Sequence, residues 1–184
     1  KKYGVQLVVR SSLNNNEGTI VREEVNMEKM LVSGVAADKN ATRIAVIGLK
    51  DEPGIAFHLF NALAKYNINV DIILQSVGRN GTKDISFTVA EDEADEAVAI
   101  IQKSFPKSEY NKIDEEKDVA KISIVGAGMM THPGVAASMF EALYDAGVNI
   151  KMISTSEIRV TVLIDEKYTE RALNAVHDKF ALGD

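Results

Sequence analysis

Apolar and polar residues alternate along this chain in two blocks that follow the same order. In the first, Arg43 to Leu49 is an apolar β-run that stops at Lys50-Asp-Glu-Pro-Gly54, a turn that opens a helix. Ile55, Leu59, Phe60 and Leu63 then fall at helical spacing on one face. Asn67 breaks that helix and Ile68 to Val77 reads as a second strand. Asn80-Gly81 is a hairpin signal, after which Ile85, Phe87 and Val89 alternate with Ser86 and Thr88 as a half-buried strand does. A second helix carries Ala94, Ala97, Val98, Ile101 and Phe105 on one stripe, and a short edge strand around 109–113 finishes the block.

The second block runs strand Ala120 to Val125, helix on Val135, Met139, Phe140 and Leu143, strand Val148 to Ser154, strand Ile158 to Ile164, helix on Ala172, Leu173, Val176 and Phe180. Strand, helix, strand, strand, helix predicts an α+β fold of the ferredoxin-like βαββαβ kind, an antiparallel sheet with both helices on one face. The blocks are copies of one unit. Pro53-Gly54, Leu63, Ile68-Asn69-Val70 and Ile73 return 80 positions later as Pro133-Gly134, Leu143, Val148-Asn149-Ile150 and Ile153. That period is too long for a solenoid, so each copy is a small domain.

The second copy runs out of chain before its last strand. Leu31-Val-Ser-Gly-Val-Ala36 is a β-run ahead of the first copy and either fills that place, interleaving the two domains, or stands alone as a connector.

Composition narrows the setting. At 184 residues and 46% hydrophobic content the chain can bury one or two cores. It has no cysteine, which removes disulfides, thiolate metal sites and a cysteine nucleophile and fits a cytoplasmic location. No apolar run reaches the length of a membrane span, and Lys1-Lys2-Tyr3 is not a signal peptide. A net charge of −6 argues against nucleic acid as a partner. An RNA-recognition module shares this topology but needs exposed aromatics and a basic face, whereas Phe87 alternates inward. His58, His132 and His177 have no second ligand at metal-binding spacing, so no metal site is expected. No nucleophile has a base motif beside it.

Glycine, proline and charge concentrate in the loop between first strand and first helix. A helix start offers free backbone N–H groups and the positive end of the helix dipole, which suit a carboxylate. Asp51 and Glu52 beside it suit an ammonium. Together they match a free α-amino acid; Asp51 as a plain helix cap is the other reading. In the second copy the loop is two residues longer, Gly126-Ala-Gly-Met-Met-Thr-His-Pro-Gly134, with Thr131 and His132 in place of the two acids. Its Gly-x-Gly lacks the spacing of a dinucleotide fingerprint.

Asp51-Glu-Pro-Gly54, Asn67-Ile-Asn-Val-Asp71, Leu74-Gln75, Asp84-Ile-Ser-Phe-Thr88, Val125-Gly-Ala-Gly-Met129, His132-Pro-Gly134, Val148-Asn-Ile150 and Ile153-Ser-Thr-Ser-Glu-Ile-Arg159 closely resemble the tandem ACT domains that form the regulatory region of aspartokinase. Tyr3 to Ser12, with Gly18-Thr19, resembles the end of that family's catalytic domain, and Met27 stands near the internal start from which some members make a separate β subunit. On this resemblance residues 1–26 are the catalytic tail or linker, 38–113 the first ACT domain, and 27–37 with 114–184 the second. It implies feedback control by threonine, lysine or both over the phosphorylation of L-aspartate with ATP and Mg²⁺. On this resemblance the phosphate-binding region of the kinase does not appear in the sequence, so this part is expected to carry no catalytic residues and to need no cofactor of its own.

The implied partners are the effector amino acid, a second copy of the chain in a homodimer, and an aspartokinase catalytic domain or subunit. Carried over by motif, Asp51, Gly54, Ala56 and Gln75 hold threonine, with Asn149 and Ile150 arriving from the other chain. Asp71, Ser154, Thr155 and Ser156 are the secondary candidates for lysine or for coupling. Gly78 stands where some relatives have serine. The alternative is an ACT regulatory subunit of another amino-acid enzyme.

Overall fold

The computed structural model describes residues 7–9, 19–21, 31–76, 78, 80–130 and 132–182. Strands β1 (Leu7–Val9) and β2 (Thr19–Val21) pair antiparallel with each other. Met27 and Thr131 lie outside the described residues.

The first copy is β4 (Thr42–Lys50), α1 (Ile55–Ala64), β5 (Ile73–Gln75), β6 (Thr82–Val89), α2 (Ala94–Ser104) and β7 (Lys112–Glu116). Its sheet runs β5-β6-β4-β7, antiparallel throughout. Ile44, Val46, Ile85 and Phe87 from the sheet meet Leu59 and Leu63 of α1 and Ala97 and Ile101 of α2 in one core. Phe87 is fully buried, its ring meeting Phe60 edge-on with centroids 5.5 Å apart.

The second copy is β8 (Val119–Val125), α3 (Val135–Asp145), β9 (Met152–Thr155), β10 (Arg159–Asp165) and α4 (Thr169–Lys179), around Ile122, Ile124, Met139, Leu143, Val162, Ala172 and Val176. Its sheet is completed from in front of the first copy. β3 (Gly34–Asp38) pairs antiparallel with β8, giving the order β3-β8-β10-β9. β3 therefore takes the place that β7 holds in the first sheet, and Val32 just ahead of it is buried in the second core. Gly126 makes this approach possible, because a Cβ there would press on the Leu31 carbonyl oxygen and the Val32 Cα. Gly126→Ala is accordingly expected to lower stability by about 1–3 kcal/mol in a urea melt, as overpacking does.

Three expectations are corrected. The strand read from Ile68 to Val77 is formed only over β5; Ile68 and Ile72 are instead buried, and Ile72 N–H donates to the Thr88 hydroxyl at 3.1 Å. The strand read from Val148 is likewise formed only over β9, with Val148 spent on the core behind α3. The edge strand expected at 109–113 is shifted to β7, which absorbs much of the acidic run 114–118 that reads as a solvated linker. Neutralisation explains it: Arg43 of β4 donates to Glu116 at 2.8 Å and Asp114 at 3.2 Å, and Lys151 also pairs with Glu116.

Candidate functional site

Both loops ahead of the first helix of a copy are Pro-Gly turns. Gly54 and Gly134 sit at φ 94° and 98°, and the Ile55 N–H donates to the Glu52 carbonyl at 3.4 Å. Pro at the second and a left-handed Gly at the third position give a type II turn, which throws the chain directly into the helix. Gly54 is thus the residue at the cap of α1, and no side chain caps it. The cap reading of Asp51 is set aside.

Asp51 does something else. Its N–H donates to the Gly81 carbonyl at 2.9 Å, and its carboxylate lies 2.5 Å from the ammonium of Lys83 on β6. Asp51, Gly54, Ala56 and Lys83 line one cavity of about 550 Å³, with Glu52, Pro53, Ile55 and Phe57. The Ala56 and Phe57 amides belong to the first turn of α1, where N–H groups have no partner within the helix. An acid, a lysine and amides at a helix start therefore share one opening. Gly78 also acquires a reason: a Cβ at that position would collide with the Asp51 carboxylate.

Gln75 ends β5 opposite Ile85, exposed at the sheet edge. Asn149 is exposed and Ile150 half-buried against the second core, in the stretch between α3 and β9. Within one chain none of Gln75, Asn149 and Ile150 is among the residues that line the Asp51 cavity. Asp71, Ser154, Thr155 and Ser156 do come together, in a second cavity of about 510 Å³ on the helix-free side of the second sheet. Lys121, Ser123, Arg159 and Thr161 line it too and were missed by sequence reasoning. Their signal is strand alternation, which puts Lys121, Ser123 and Val125 on the side of β8 opposite buried Ile122 and Ile124.

Lys121 joins the copies. Its ammonium lies 2.8 Å from Asp38 of β3 and 2.7 Å from Asp71 ahead of β5, beside an apolar contact of Ala41 and Ile72 with Val119, Met152 and Leu163. Burial alone would raise the Asp38 carboxyl, but hydrogen bonds from Lys121 and the Asn40 amide outweigh it and hold it below the ordinary value. Glu116 is lowered in the same way, its desolvation outweighed by Lys151 and Arg43. Burial opposes the charge of Lys121, yet its two carboxylates hold its pKa above the usual lysine value.

A lowered carboxyl pKa contributes stability that is complete above the unfolded value, about 4, and disappears as pH falls through the folded one. The raised lysine contributes below its unfolded value, about 10.4, and is lost as pH rises beyond. Stability in urea is expected to be level between these limits and to fall on the acid side, with Lys121→Met making that acid fall shallower.

The ACT domain family matches this chain twice, over residues 44–105 and 122–180. The chain belongs to the ACT-domain family. The aspartokinase of Helicobacter pylori is 44% identical over 187 residues, 99% of this chain and 46% of that protein. The chain thus spans about half the length of the curated relatives it matches. The ligand-free regulatory subunit of aspartate kinase from Thermus thermophilus superposes with a TM-score of 0.76 at 42% identity, covering 82% of this chain and 99% of that one. A structure of aspartokinase α and β subunits also gives 0.76, at 46% identity over 82% of this chain and 99% of that one. The two ACT copies are an aspartokinase regulatory region.

Proposed function

We propose that this ACT pair senses threonine, lysine or both, and through that binding restrains phosphorylation of L-aspartate by ATP in an aspartate kinase. The observation that carries the reading is the asymmetry between the two Pro-Gly loops. Only the first places an acid, Asp51, in a cavity with the amides of a helix start. An ammonium on Asp51 and a carboxylate on the amides is the pairing a free α-amino acid offers.

The same reading takes the chain to be a homodimer. β5 and β9 are edge strands at corresponding ends of the two sheets, and both leave apolar residues exposed: Ile73 and Leu74 on one, Ile153 on the other. Such edges favour pairing with a second chain, and a two-fold partner brings Asn149 and Ile150 of one chain to the Asp51 loop of the other.

Calorimetry with threonine, lysine and the two together tests the reading. Heat is expected with at least one of them, and none with ATP or aspartate. Silence with every aspartate-derived amino acid contradicts it. Binding without restored feedback on an aspartokinase catalytic subunit favours an ACT regulator of a different enzyme. Light scattering is expected to give a dimer; a monomer with and without millimolar threonine and lysine contradicts the shared site.

A further inference from the structure

In the first ACT copy the acid that this reading assigns to the ligand's ammonium is already occupied by an ammonium of the chain itself. Lys83 Nζ lies 2.5 Å from Asp51 Oδ1, and the lysine side chain is only 12% exposed against 44% for the aspartate. Its burial follows from register. Lys83 pairs with Leu49 and shares a strand face with Ile85 and Phe87, so its stem continues the core-facing row of β6 towards the start of α1. Gly78, with no Cβ to displace the Asp51 carboxylate, leaves room for the pair.

The pair is particular to this copy. Ile85 lies opposite Val46 and Val160 opposite Ile124, and Val46 and Ile124 correspond between the copies. Lys83 therefore corresponds to Ile158, and Asp51 to Thr131 in the sequence. Where the acid is missing, so is its cation.

We propose that Lys83 is a ligand-binding residue of this site and makes it select zwitterions. The proposal rests on the reading of Asp51 above. A ligand ammonium that takes Asp51 displaces Lys83, and a largely buried ammonium without an anion is unfavourable. The α-carboxylate of the incoming amino acid supplies that anion. The Asp51–Lys83 pair opens and the zwitterion closes it again, ammonium to Asp51 and carboxylate to Lys83, with net charge unchanged. A ligand that brings only a cation leaves Lys83 stranded.

The test compares L-threonine with L-threoninamide, and L-lysine with L-lysinamide, by calorimetry on the whole chain and on Lys83→Met and Lys83→Arg. In the parent protein the free acid is expected to bind about tenfold or more tightly than its amide, as for loss of a charge-assisted contact. In Lys83→Met that ratio is expected to shrink at least about fivefold, the amide gaining as Asp51 is released and the acid losing its carboxylate partner. Lys83→Arg keeps the discrimination. A ratio unchanged in Lys83→Met overturns the role of Lys83 while leaving amino-acid sensing intact; a parent protein that binds neither acid overturns the sensing reading and this inference with it.

Discussion

Val32→Asp is expected to unfold the second ACT copy, although Val32 precedes the whole first copy in sequence. Val32 is 3% exposed and packed among the side chains of β8, β10, α3 and α4. A carboxylate there would sit among the apolar side chains of that core, and an unpaired buried charge costs on the order of 4 kcal/mol, a large part of a small domain's stability. Hydrogen exchange reads the effect locally. Amides of β8 and β10 are expected to lose protection well before those of β4 and β6, which lie in the other core. Equal losses in both sheets, or native protection in β8, would contradict the part given to the segment ahead of the first copy.

Asp51→Ala is expected to weaken the effector amino acid roughly tenfold to a hundredfold, the cost of about 1.5–3 kcal/mol for a charge-assisted hydrogen bond. The fold is expected to survive with some loss of stability, since Asp51 is 44% exposed and caps no helix but its removal leaves the largely buried Lys83 without that carboxylate. Asn149→Ala, which removes a neutral hydrogen bond worth about 1 kcal/mol, is expected to weaken the same ligand about fivefold. Calorimetry on each variant checks both numbers. Normal affinity in Asp51→Ala would remove the acid from the site.

Most of the fold was legible because periodicity reports burial. The strands around Ile44, Phe87, Ile122 and Val162 and the four helices follow from apolar spacing alone, and the lone β-run at 31–36 fits the sheet that lacked a strand. What failed was whatever depends on partners distant in sequence. β7 is acidic at three successive positions and reads as linker until Arg43 and Lys151 are seen beside it. Ile68 and Val148 look like strand starts because a buried loop residue and a buried strand residue have the same composition.

The site divides along the same line. Asp51, Gly54 and Ala56 sit within one short loop, so sequence order alone brought them together. Lys83 is more than thirty positions away, and only the β4–β6 register places it at Asp51. Asp71 and Ser154 share a cavity for a like reason, through the contact between copies that Lys121 clamps.

An amino-acid site shared between unlike ACT copies of two chains can be rebuilt by mixing the variants. Asp51→Ala and Asn149→Ala dimers, brought to verified subunit exchange, form some heterodimers with one intact site and one doubly damaged site. Titration of the mixture with the effector amino acid is expected to recover a fraction of sites at parental affinity. A mixture that binds no better than its two components contradicts the shared site.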